Sequence, residues 1–145
     1  MRANLDIEDL GGLLDEPILA VLATIRRDGT PLLSPVWHRW RDGGFEVWMG
    51  SRGVKARHLG RDPRATVLVA EQEPPYRGLE ARGRAELLRE GVLEIAGAIA
   101  ARYLGDDRAA AYVEDNGDDD DVILRVTPHT IRAWDFADEY DSPAR

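Results

Sequence analysis

Cysteine is absent, which excludes disulfides, thiolate metal sites and a cysteine nucleophile. Serine is scarce: only Ser34, Ser51 and Ser142 occur. None lies in a G-x-S-x-G turn, so nothing points to a serine hydrolase of that kind. The histidines, His38, His58 and His129, are scattered without zinc-ligand spacing, and no metal site is expected. No apolar run approaches the ~20 residues of a membrane span. Residues 1–6 lack the apolar centre of a signal peptide, so the expectation is a cytoplasmic protein without a membrane partner. Positive charge is in short supply, with 19 Lys and Arg against 27 Asp and Glu. That balance argues against a nucleic-acid partner, which calls for a broad basic face. Lysine is reduced to one residue, Lys55; every other base is arginine.

Against that acidic background one positive island stands out. Residues 50–64 carry Arg52, Lys55, Arg57, Arg61 and Arg64 against a single acid, Asp62. A local positive field attracts an anionic ligand whatever the net charge. Gly50 and Gly53 let the backbone approach a ligand closely. Ser51 is suited to cap a short helix over residues 54–59, and Asp62-Pro63 ends it. Two readings stand at this point: a phosphate-binding turn and helix, or solvated bases on a short amphipathic helix. The Walker pattern does not apply, because Val54 and Ala56 flank the lysine.

At 145 residues, 43% of them hydrophobic, the chain reads as one domain over residues 1–145. Residues 4–15 place Ile7, Leu10, Leu13 and Leu14 on one helical face, with Asn4 or Asp6 as the cap. Residues 18–25 form an apolar strand, and Asp28-Gly29 turns it into residues 31–40. Pro35 there calls for an edge or a bulge. Asp42-Gly43-Gly44 turns into a third strand, residues 45–49, completing a meander. Residues 65–70 and 76–88 are further strands, with Gly83 marking a bulge. Residues 90–104 are the main helix, 107–114 a short one, and 115–121 an acidic solvated loop without calcium-site spacing. Residues 122–126 and 130–134 close the sheet, broken at Pro128, before an acidic frayed tail from residue 135. Six or seven antiparallel strands with hairpin signals and few helices predict a mainly β (α+β) antiparallel barrel with peripheral helices.

Trp37, Trp40, Trp48 and Trp134 fall on these strands; they serve either core packing or the wall of a flat heterocycle. No protein nucleophile, base or metal emerges, and such a domain leaves chemistry to a cofactor.

Four segments in fixed order carry a family resemblance: residues 20–31, Ser34-Pro35-Val36-Trp37, residues 55–64 (Lys-Ala-Arg-His-Leu-Gly-Arg-Asp-Pro-Arg), and residues 80–86. Together they resemble the FMN-binding split barrel of the pyridoxamine 5′-phosphate oxidase-like superfamily, and within it the deazaflavin oxidoreductases that use coenzyme F420. The resemblance implies a split β-barrel homodimer with two cofactor sites at the subunit interface. It implies that Ser34, Pro35, Val36 and Trp37 line the ring, and that Trp48, Met49, Gly50 and Ser51 follow the ribityl chain. It further implies that Arg52, Lys55, Arg57 and the adjoining His58 hold the phosphate. Trp134 matches a position that reaches the ring from the partner subunit. His58 stands where many deazaflavin relatives have asparagine. The chain also stops soon after Trp134, where pyridoxamine phosphate oxidases continue into a substrate-binding segment, so that specific activity is not expected. The implied activity is hydride transfer from reduced F420 to a conjugated small-molecule acceptor. FMN is the alternative cofactor, since both present a phosphate on a ribityl chain. Arg61 and Arg64 are candidates for the extra charge of F420, or plain surface arginines. A non-catalytic module holding a flavin or haem-like ligand, and a dimeric scaffold without cofactor, are the readings from other classes.

Overall fold

A computed structural model describes residues 1–140; the end of the acidic tail, residues 141–145, lies outside the described residues. Eight strands form one antiparallel sheet: β1 (Arg2–Leu5), β2 (Ala20–Ile25), β3 (Pro31–Val36), β4 (Arg39–Arg41), β5 (Gly44–Met49), β6 (Arg64–Ala70), β7 (Gly78–Leu88) and β8 (Val122–Asp135). The hydrogen-bonded order is β3-β2-β6-β7-β8-β5-β4, with β1 added to β8. Helix α1 (Val54–Arg61) joins β5 to β6, α2 (Val92–Leu104) and α3 (Asp106–Asn116) join β7 to β8, and α4 (Ala137–Tyr140) follows β8.

The order of strands dictates curvature. β3 and β4 lie at opposite ends of the sheet, yet only Trp37 and His38 separate them in sequence. The sheet must therefore curl until its ends meet, giving a barrel split between β3 and β4. The expected meander is thus corrected. β5 is apolar and buried along most of its length, so it needs cover on both faces and a partner on each edge. It finds β4 on one side and β8 on the other, with Val47 opposite Leu124. The turn between β4 and β5 is the expected one, with Asp42 (φ 50°) and Gly43 (φ 75°) both left-handed.

β8 is a single strand, not the two expected around Pro128. Pro128 is accommodated opposite Gly83, where the register slips. A Cβ on Gly83 would collide with the Thr127 carbonyl, so the absent side chain is what lets the two strands cross the bulge. Alternation along the strands fills the barrel: Leu22, Phe45, Val47, Val67, Val69, Leu79 and Leu124 are fully buried together.

The amino-terminal helix is also corrected. Residues 2–5 pair with the end of β8, and two 3-10 turns, Ile7–Leu10 and Leu13–Asp15, follow on either side of Gly11 and Gly12. The left-handed Asn4 (φ 57°) and Gly11 (φ 61°) interrupt any continuous α-helix. Leu10, Leu13 and Leu14 are nevertheless buried, as the spacing requires. The strand count becomes eight, because β1 and β4 are short and carry no alternating pattern.

Candidate functional site

β5 ends at Met49, and a turn closed by Gly53 N–H on the Gly50 carbonyl (3.4 Å) leads into α1. The cap of α1 is Gly53, without a side-chain acceptor, which corrects the expected Ser51 cap. The first-turn N–H groups of α1 thus lack an intrahelical partner. Lys55 on that turn shares a cleft of about 290 Å³ with Pro35, Val36, Trp37, Trp48, Met49, Gly50, Ile99 and Tyr112. Seven of the residues expected at the cofactor are therefore together: Pro35, Val36, Trp37, Trp48, Met49, Gly50 and Lys55. Ser34 is on the same strand, half-buried and opposite Leu22, one step outside the lining. Ser51, on the turn after Gly50, is outside it too.

The remaining expected residues stand elsewhere. Arg52 is 90% exposed and pairs with Asp120 at 3.0 Å. Arg57 and His58 line a second cleft with Arg27 and Arg61. A helix turns about 100° per residue, so Arg57 and Arg61 share a face that Lys55 does not. Trp134 lies opposite Gly78 on β7, with the Arg132 guanidinium 4.7 Å from its ring centre, and takes no part in the Lys55 cleft of its own chain. Arg64 is tied to Asp62 by a 2.8 Å ion pair, which holds the Asp62 carboxyl well below its usual range.

The aromatic wall of the first cleft is held from behind. Trp37 stacks on Tyr103 of α2 (centroids 5.1 Å apart, planes 7° from parallel) and leans on Tyr112 of α3. Tyr103 Oη meets the Ile18 carbonyl at 2.9 Å and accepts the His38 N–H at 3.1 Å, with His38 Nδ1 at 3.0 Å. This one hydroxyl ties α2 to the segment leading into β2 and to the corner between β3 and β4. His38 is fully buried. Burial first, and the Arg102 charge second, push its pKa down to about 4, so the ring is neutral. Trp48 is edge-on to Tyr112 and donates its indole N–H to Asp121 at 2.8 Å. The expected solvated loop is therefore corrected at one position: Asp121 is only 9% exposed and braces the cleft.

Tyr103, Tyr112, Ile99 and Asp121 are the site residues that sequence reasoning missed. Tyr103 fell on the apolar face of the main helix, which looks like ordinary core. Tyr112 sits in an alanine-rich helix with no distinguishing spacing.

The arrangement offers flat apolar walls, a side-chain-free position at Gly50 and one cation at the end. Among the described residues that line it, Lys55 is the one charged side chain. This donor set fits a planar heterocycle carrying a phosphorylated chain.

Similarity to known proteins follows the same line. Residues 8–135 match the family model for pyridoxamine 5′-phosphate oxidase. No curated protein sequence matches the chain. Among solved structures, a conserved hypothetical protein from Mycobacterium tuberculosis is similar over 97% of this chain and 91% of its own, with 24% identity and a TM-score of 0.81. An F420 reductase is similar over 83% of this chain and 93% of its own, with 27% identity and a TM-score of 0.67. A haem storage protein from Vibrio cholerae shares the fold over 89% of this chain and 94% of its own, with 17% identity and a TM-score of 0.67.

Proposed function

Because the chain belongs to the pyridoxamine 5′-phosphate oxidase family, we propose that it is an F420-dependent oxidoreductase acting on a conjugated small-molecule acceptor. The observation that carries this reading is the Lys55 cleft. It combines an aromatic wall, a glycine floor and a lone cation where ring, ribityl chain and phosphate would follow one another. The similarity to an F420 reductase at 27% identity favours the deazaflavin over FMN. When bound, such a cofactor supplies two-electron transfer.

The chain's own contribution is binding and order. Lys55 and the free N–H groups of α1 hold the phosphate. Pro35, Val36 and Trp37 bear on the ring, and the Trp37–Tyr103 stack keeps that wall from moving. Trp48 and Tyr112 keep water from the inner end. A second copy of the chain would complete the site. The exposed Leu33 (62%) on edge strand β3 and Leu19 (52%) beside β2 support such a contact. We place this homodimer in the cytoplasm, with no membrane or nucleic-acid partner. Among residues 1–140 no helix is long and apolar enough to cross a membrane.

The test is turnover. Reduced F420 should be oxidised steadily when protein and a quinone or nitroaromatic acceptor are supplied together. Tight binding of F420 or FMN without turnover would instead make the protein a cofactor-holding module, the reading to which the haem storage fold relative lends support.

A further inference from the structure

We propose that the cleft between the β4–β5 hairpin and the first turns of α2 binds a small zwitterion, an α-amino acid whose carboxylate meets Arg39 and whose ammonium meets Glu46. The cleft holds about 420 Å³, and Arg39, Glu46, Glu94, Ile95 and Ala98 are among its lining residues. It shares no lining residue with the Lys55 cleft.

Side chains alternate along β5. Phe45 and Val47 enter the barrel core, so Glu46 falls on the opposite face, where α2 packs. Glu46 is nevertheless 5% exposed, the least of any Asp, Glu, Lys or Arg described. A carboxylate so placed is costly unless its lone pairs are satisfied. Its cross-strand neighbour Arg39 satisfies one oxygen: Nε donates to Glu46 Oε1 at 2.7 Å. Glu46 Oε2 and both Arg39 Nη atoms have no hydrogen-bond partner among the described residues.

The pair of Arg77 and Glu71 shows how the same chain completes such a contact. It is the more exposed of the two pairs. Even so, Arg77 grips both Glu71 oxygens (2.9 and 3.0 Å), adds its backbone N–H at 2.7 Å, and gives Nη1 to the Leu10 carbonyl. That pair is closed on itself. The deeper pair is open, and leaves a guanidinium fork beside a carboxylate oxygen on two residues that line the cleft.

A fork of N–H groups matches a carboxylate, and a carboxylate oxygen takes a proton of an ammonium. The two protein charges are adjacent, so the charges of a matching ligand must be adjacent too. An α-amino acid carries both on one carbon. Glu94 makes no ion pair among the described residues and adds negative charge that favours the ammonium. Helix α2 starts at Gly91 without a side-chain cap, and Gly91 also lines the cleft, so the helix start favours the carboxylate. Ile95 and Ala98 offer apolar surface to the ligand's own side chain. The proposal does not rest on the cofactor reading.

The experiment is a calorimetric titration with L-leucine, beside isocaproate, which lacks the ammonium, and isoamylamine, which lacks the carboxylate. Wild type, Ala98→Leu, Glu46→Gln and Lys55→Gln are compared. Ala98→Leu puts bulk into the cleft from a half-buried helical position and leaves the ion pair alone. One saturable leucine site per chain is expected, with each analogue about tenfold weaker or more, the loss of a charge-assisted hydrogen bond. Ala98→Leu should weaken leucine by a similar factor. Glu46→Gln should lose the preference for leucine over isocaproate, and Lys55→Gln should bind leucine like wild type. No saturable leucine binding by wild type, isocaproate or isoamylamine binding as tightly as leucine, undiminished binding by Ala98→Leu, or an equal loss in Lys55→Gln would each overturn the proposal. So would an unaltered preference in Glu46→Gln; should that variant not fold, the analogues and Ala98→Leu decide. Failure to bind leucine leaves the Lys55 reading standing, and failure to bind F420 leaves this one standing.

Discussion

Lys55 is the residue on which the proposed site turns, and its singularity is legible in the sequence. It is the sole lysine, and it lies in a basic island preceded by glycines. Lys55→Ala should weaken F420 or FMN binding about tenfold or more, the loss expected for one charge-assisted hydrogen bond. Its thermal unfolding should be unchanged, because Lys55 makes no ion pair among the described residues. Fluorescence titration and a melting curve check the two parts. His38 carries a different prediction. Its folded pKa of about 4 lies below the ordinary value of 6.5, so the unfolded chain binds the extra proton first. The stability it confers is complete above pH ~6.5 and is lost as pH falls towards ~4, by about 3 kcal/mol in all. Urea unfolding between pH 7 and pH 4.5 should show this loss, and His38→Gln should flatten the slope. The residues sequence reasoning missed are those that act across long separations. His38 meets Tyr103 from 65 positions away, and Trp48 meets Asp121 from 73. No local pattern encodes such pairs.

Elements were legible where period and turn chemistry agreed. β2 with β3, β6, β7 and α2 lie close to their expected places, because hairpin residues or a 3.6-residue period marked them. Pro35 falls on an edge strand, as a residue without an N–H must. The failures are physical too. The spacing of Ile7, Leu10, Leu13 and Leu14 serves two 3-10 turns as well as one helix. Pro128 reads as a break only when its partner is unknown; Gly83 opposite it absorbs the irregularity. Gly83→Ala should therefore cost about 1–3 kcal/mol, the range for forcing atoms into a filled space, measured by chemical denaturation. Trp48→Phe tests the loop of β8. It removes the indole N–H and leaves the Asp118 N–H (3.0 Å) as the remaining donor to that Asp121 oxygen, which should cost about 1 kcal/mol and loosen the inner wall of the cleft. A variant as stable as wild type would mean that the Asp118 N–H alone satisfies Asp121.

At the scale of the whole molecule, the sheet order decides what the chain can do alone. The curled sheet places β3, Met49 and the start of α1 around one cleft, while α2 and α3 press two tyrosines on its tryptophans. Fold class was readable from the run of hairpins, but not the passage of the chain from β3 to β4 across the split. That step depends on β5 seeking β8, a pairing over more than 70 positions. A dimer mass by light scattering is expected, with Leu33→Asp shifting it towards monomer and lowering cofactor affinity. A wild-type monomer that binds cofactor fully would remove the second copy from the site. The central claim is that the Lys55 cleft holds a phosphorylated flavin or deazaflavin with its ring beside Trp37. Titrating the purified protein with F420 and with FMN, while following tryptophan emission, tests it most directly. Saturable quenching at one cofactor per chain, tighter for F420 and weakened by added salt, is the predicted result; no saturable quenching by either compound would contradict it.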